Sequence, residues 1–164
     1  MGAAIAFFEK LLKWLVIVLN GLMLLLVFAQ VITRYCFGFT PSFGEELARY
    51  LFVWVVFLSL PLVAKTGGHM CIETITSRVS GMTLKVLTVC ADIFSLAFLT
   101  VMVVCGLQMV ERTSFQTSPA MMLPMSYVYA VIPFGCAVMW LYVAKNLVTV
   151  LKRPASTLGK GEKV

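Results

Sequence analysis

The sequence predicts an all-α membrane protein: four transmembrane helices, both termini cytoplasmic, and short amphipathic helices at the interface. Three observations carry this. Apolar stretches at about 11–33, 47–64, 84–110 and 127–151 each lie near or above the ~20 residues a helix needs to cross a hydrocarbon core. Threaded alternately, they gather ten of the 13 lysines and arginines on one face, among them Lys10, Lys13, Lys65, Arg78, Lys85, Lys145 and Lys152. The other face receives Arg34, Arg49 and Arg112, a positive-inside bias that places the termini in the cytoplasm. Finally, the chain is 61% hydrophobic and 12% charged with mean hydropathy +0.99. Soluble proteins average ~25% charged residues, and 164 residues could not bury four such segments and still solvate their surface.

Several function classes are disfavoured by the same reading. The net charge of +6 falls at the ends and in the middle loop, where it faces anionic headgroups, and no basic stripe with interleaved aromatics suggests nucleic acid. The first apolar run exceeds the 7–15 residues of a signal-peptide core and has no A-x-A-like site after it, so it should remain as a membrane helix. Cys36, Cys71, Cys90, Cys105 and Cys136 form no close pair, and His69 is the chain's lone histidine. Haem held by histidine pairs and zinc with cysteine–histidine spacing lack their ligands. A disulfide-forming membrane enzyme is weakly supported, because it needs paired cysteines at the outer face, where Cys36 stands alone. No cofactor and no catalytic group is expected.

In chain order, residues 1–10 read as an interfacial lead-in. Helix 1 follows to about Thr33, with Asn20 and Gln30 expected to bond to a neighbouring helix. Pro41 stops its extension. Ser42-Phe43-Gly44-Glu45 matches a capping box, and Phe43, Leu47, Tyr50 and Trp54 recur at helical spacing, predicting a short amphipathic arm that runs into helix 2. Glu45 and Arg49 stand four apart, in the favourable order for an ion pair. Two readings of Glu45, Glu46 and Arg49 remain open here: a solvated helix start whose acids suit the dipole, or a docking surface for a partner protein.

Helix 2 contains Pro61 and ends at Lys65-Thr66-Gly67-Gly68, where glycine suits a left-handed cap. Beyond it, Ile72, Ile75, Val79 and Met82 oppose Glu73, Ser77, Arg78 and Ser80, as in a helix lying on the cytoplasmic leaflet. His69 before it and Glu73 within it are expected to be structural contacts. Helix 3 carries Asp92, an acid well inside an apolar segment and therefore a functional candidate. It lies two turns from the cytoplasmic end, where pairing with Lys85 or Lys145 would make it structural instead. The outer loop Glu111–Ser126 should be irregular and tightly packed, Ser126 should cap helix 4, and Pro133 with Gly135 should kink it. The four helices form one domain over 1–153, followed by a polar cytoplasmic tail at 154–164.

The stretch PSFGEELARYLFVWVVFLSLPLVAKTGGHMCIETI resembles the small membrane subunit of tripartite ATP-independent periplasmic (TRAP) transporters. An acidic pair and arginine precede an aromatic-rich helix, and Gly68-His69-Met70-Cys71-Ile72-Glu73 follows. A second region of likeness runs from Pro124-Met125-Ser126-Tyr127 through Ile132-Pro133-Phe134-Gly135. Ser59 stands where the family often carries glycine. The likeness extends over essentially the whole chain in length, helix number and orientation.

The resemblance implies a division of labour in a bacterial inner membrane. A soluble periplasmic binding protein captures an organic acid, such as sialic acid or a C4-dicarboxylate. A large multi-span subunit carries the substrate and sodium sites. The small subunit, in contact with lipids and with no nucleic acid, packs on the large one as a scaffold. Glu45, Glu46, Arg49 and Trp54 would then face the binding protein, while His69, Glu73, Asp92 and Pro133 make structural contacts. The residues agree with a helper role, for the chain has one buried acid, no internal repeat and no matched pair of broken helices. Two rivals make other predictions: a proton-coupled homodimeric exporter would need Asp92, and a membrane oxidoreductase would need Cys36.

Overall fold

The computed structural model describes residues 2–39, 41–65 and 82–152. Five helices are present among them: α1 (Gly2–Phe37), α2 (Ser42–Lys65), α3 (Met82–Arg112), α4 (Met125–Tyr129) and α5 (Val131–Lys152). Four helical segments are long and apolar enough to cross a membrane: Ala6–Phe37, Ser42–Ala64, Met82–Arg112 and Met125–Lys152. The expected interfacial helix, with His69 and Glu73, and the tail at 154–164 lie outside the described residues.

The helices alternate in direction, so one end of the bundle carries the loops at 38–41 and 113–124. The opposite end carries the start of α1 and the end of α5. Packing runs in the order α1–α2–α5–α3, with α5 central and α1 at the edge. One apolar cluster joins α1, α2 and α5 through Leu12, Leu58 and Val131. A second joins α3 and α5 through Leu99, Cys136 and Val143, with Phe57 and Leu60 of α2 against it.

The outermost helix has a regular design. Its inward positions are Leu12, Val16, Leu19, Met23, Leu26, Gln30 and Thr33, alternating steps of four and three that keep one narrow stripe on α2. The helix passes the expected end at Thr33 and reaches Phe37, where Gly38 at φ 65° ends it in the left-handed region. At 36 residues, or roughly 54 Å at 1.5 Å per residue, it is longer than a hydrocarbon core and must tilt or project.

Prolines and glycines set how closely the central helices approach. Pro61 lies inside an unbroken α2. Having no N–H, it leaves the Phe57 carbonyl without its bond from four residues on. That carbonyl is what a Cβ on Gly135 would overlap, so the bare glycine of α5 seats against the freed acceptor of α2. Pro133 makes the matching contact with α3, where a Cβ on Gly106 would lie 3.1 Å from its Cδ. The fourth span is interrupted at Ala130, between α4 and α5. The break falls one turn before Pro133, beside the Tyr129 carbonyl that a proline at 133 cannot satisfy.

Candidate docking surface

At the loop end, α2 opens with the Gly44 N–H donating to the Pro41 carbonyl at 3.0 Å. The Ser42 and Glu45 side chains make no hydrogen bond there, so the expected capping box does not form. Glu45 and Arg49 are both exposed, and no ion pair joins them. The expected aromatic face divides: Tyr50 turns inward at 8% exposure, while Phe43 remains 53% exposed and Trp54 36%.

Glu46 differs from both charged neighbours. Its Oε2 accepts the backbone N–H groups of Ala120 and Met121, each at 3.0 Å. Its Oε1 accepts the Tyr50 hydroxyl at 2.6 Å, and that hydroxyl lies 3.4 Å from Met125 Sδ. One carboxylate thus ties α2 to the tip of the 113–124 loop and, through Tyr50, to the start of α4. An ionised carboxylate suits this place because it accepts several short donors at once.

The loop is correspondingly ordered. Ser118, 1% exposed, donates its N–H to the Leu123 carbonyl at 2.9 Å, and its carbonyl accepts Met122 N–H at 3.1 Å. Met125 N–H reaches the Gln116 carbonyl at 2.9 Å. Met122 sits at the tip with φ 54°, a left-handed conformation uncommon outside glycine that surrounding bonds hold in place. Ser126 does not cap the last span: Pro124 occupies the N-cap, and the Ser126 carbonyl accepts Ala130 N–H at 2.9 Å. Between arm and loop lies an open cavity of about 410 Å³, bordered by Ser42, Glu45, Arg49, Pro119 and Tyr129.

The opposite end holds a second polar group. Asp92 is fully buried and accepts Asn146 Nδ2 at 2.9 Å, which links α3 to α5. Asn146 is a partner of Asp92 that sequence reasoning missed. Its signal was an amide one residue from Lys145, at the helical turn that faces α3. Lys85 Nζ donates to the Leu151 carbonyl at 3.1 Å, and Lys145 Nζ lies 5.9 Å from the centroid of the Tyr142 ring. The Tyr142 hydroxyl donates to Glu9 Oε1 at 2.7 Å, fastening the start of α1 to α5.

Of the sequence-predicted residues, Glu45, Glu46 and Arg49 come together around one cavity. Trp54 lies further along α2, Asp92 is at the far end, and Pro133 is in the packing between α3 and α5. Among the described residues no group of three or more histidines, cysteines or acids could hold a metal ion.

This architecture defines a multi-pass helical membrane protein in which several polar side chains, among them Glu46, Asn146 and Tyr142, tie one element to another. The family described as tripartite ATP-independent periplasmic transporters, DctQ component, matches residues 23–153, and the chain belongs to that family. A Haemophilus influenzae protein named as a TRAP transporter small permease is 28% identical over 123 residues, covering 75% of this chain and 74% of that one. A second Haemophilus influenzae protein of the same name is 36% identical over 72 residues, covering 44% and 45%. The isethionate TRAP transporter permease protein DctMQ of Oleidesulfovibrio alaskensis is 26% identical over 105 residues, covering 63% of this chain and 16% of that much longer protein. The chain is therefore a small permease component of a TRAP transporter.

Proposed function

We propose that this chain is the non-catalytic scaffold of a sodium-coupled TRAP transporter in the bacterial inner membrane, with both termini cytoplasmic. It gives a large transport subunit a wide, stationary footing while that subunit carries an organic acid inward. The observation that carries this reading is the open order of the helices. An edge helix attached by one stripe leaves long apolar faces available to a second membrane chain, and the polar groups bind helices to each other. The DctMQ relative, in which the similar segment is 16% of a longer permease protein, supports a large partner. The positive-inside asymmetry supports the orientation.

The loop end is then the periplasmic surface. Exposed Glu45 and Arg49, beside the 410 Å³ cavity, offer charge of both signs to a soluble binding protein that delivers the acid. Trp54 is placed nearer the membrane, on the same helix. The substrate is set by the other components: sialic acid and C4-dicarboxylates fit the class, as does the isethionate in one relative's name.

Two experiments test the reading. Gentle purification of the chain co-expressed with its chromosomal neighbours should give a one-to-one complex with a large multi-span permease chain; a homodimer with no large chain would overturn the scaffold role. Charge reversal in Glu45→Lys should lower uptake several-fold at limiting binding protein and recover when binding protein saturates. Unchanged uptake at both concentrations would remove Glu45 from the docking surface. Reversal at Glu46 would not discriminate, because that side chain also holds the loop.

A further inference from the structure

The outer face of α1 carries a polar residue that no other described residue engages. Asn20 is exposed, and its amide makes no hydrogen bond among the described residues. It lies within the span Ala6–Phe37, about 21 Å from one end and about 25 Å from the other at ~1.5 Å per residue. A lysine or arginine at that depth could extend its head group toward the interface, but an asparagine is too short. Facing lipid alone, its amide would lose the hydrogen bonds it makes in water, with nothing in hydrocarbon to replace them.

A second observation concerns the same face. Gly21 points away from the stripe on α2, and a Cβ built there would meet nothing within 4 Å. The missing side chain opens the helix backbone to close approach by a neighbour, as small residues do where membrane helices pack. The surrounding positions are large and apolar: Leu24 is 60% exposed, Leu25 68% and Phe28 64%. Gln30, the other amide of α1, faces inward, and Gly44 of α2 leaves room for it: a Cβ there would stand 3.1 Å from Gln30 Nε2.

We propose that Asn20, with Gly21 beside it, is an anchor for a transmembrane helix of the large permease subunit. That helix carries a hydrogen-bonding side chain at the depth of Asn20. The inference rests on the subunit reading above and specifies which face of which helix the partner covers. An amide needs a polar partner of either sense, since it offers both a donor and an acceptor. Gly21 requires that partner to come close.

The test uses the assembled complex. The two chains are co-expressed, purified in mild detergent and challenged with rising concentrations of a harsher detergent, and the large chain retained is measured. Asn20→Leu keeps the volume and deletes the amide; it should lower retention roughly three- to fifteen-fold, the range one interhelical side-chain hydrogen bond supplies. Asn20→Gln, which keeps the amide, should restore most of it, and Gly21→Leu should weaken the complex through bulk. The small chain purified alone should melt at the same temperature with and without Asn20→Leu. Retention of the large chain by Asn20→Leu and Gly21→Leu at the parent level would overturn the inference while leaving the subunit reading intact. A lower melting temperature of the isolated Asn20→Leu chain would also overturn it, because Asn20 would then serve its own fold. If the parent protein brought down no large chain, the subunit reading would fall first, and the anchor with it.

Discussion

The first and last long helices are both apolar rods, yet they are built for different company. α5 has 22 residues and buries Val131, Pro133, Gly135, Cys136, Val143 and Val150 between two neighbours. α1 has 36 residues and, among its described side chains, brings only Leu12 into the buried class. Composition does not separate them; the pattern of small and polar residues does. In α5 the glycine and proline match features on α2 and α3, and Asn146 meets Asp92. In α1 the inward stripe accounts for one side, and Asn20 and Gly21 are left on the open face. In lipid, where apolar surface alone gives little drive to associate, such small and polar residues mark where a helix expects a neighbour.

The largest effect should come from adding a methyl group to each helix in turn. Gly135→Ala drives a Cβ into the Phe57 carbonyl, a backbone atom that cannot swing aside. We expect a loss of about 1–3 kcal/mol from overpacking, partly offset by up to ~1 kcal/mol of helix propensity. Gly21→Ala meets nothing within 4 Å and should leave the isolated chain unchanged or stabilise it by up to ~1 kcal/mol. Unfolding in mixed detergent micelles reads both. Equal effects at the two glycines would erase the distinction between α5 and α1.

Next in size is a comparison of two asparagines. Asn146→Ala removes a donor to fully buried Asp92 and should cost the isolated chain about 1–3 kcal/mol. Asn20→Ala, at an exposed amide without a partner among the described residues, should be close to neutral in the same assay. A large loss at Asn20 and none at Asn146 would reverse the roles assigned to the two helices.

Much of the fold was legible because hydropathy reports length and burial in lipid directly. Four spans follow from apolar runs and prolines, but the helices extend past them. α1 takes in the expected lead-in and starts nine residues before Leu11, and α2 takes in the expected arm and starts five before Leu47. The remaining ends fall within about a turn. The proline effect was also legible in kind, although the break falls at Ala130, one turn before Pro133, where the lost backbone bond is felt. The contacts were less so. The capping box at Ser42 and the Glu45–Arg49 pair are valid local patterns, but tertiary demands differ: Gly44 bonds to Pro41, and Glu46 is drawn to the loop. Pairings such as Glu46 with Ala120, or Asp92 with Asn146, span more than 50 positions, and no local periodicity encodes them. Likewise, inward Gln30 and outward Asn20 carry the same kind of side chain; only the steps of four and three along α1 tell them apart.

The third comparison, at Glu46, is local rather than global in its effect. Glu46→Ala leaves the Ala120 and Met121 N–H groups without the acceptor they share and removes the carboxylate that the Tyr50 hydroxyl donates to. Amide hydrogen exchange at 118–123 should quicken by about tenfold or more, since these bonds must otherwise open before exchange. Exchange along α1 should not change. Glu46→Gln keeps a carbonyl oxygen for both amides, and the Tyr50 hydroxyl can accept from its new NH₂, so exchange should stay near the parent rate. Glu45→Gln, one residue away and exposed, should have no effect at the loop. Rapid exchange in Glu46→Gln equal to that in Glu46→Ala would show that the full charge is needed. Unchanged exchange in Glu46→Ala would show that the loop holds itself through Ser118 and Leu123. The loop feeds directly into α4 and α5, so loosening there reaches the internally packed side of the molecule first. The edge helix, fastened elsewhere through Leu12 and Glu9, should not register the loss.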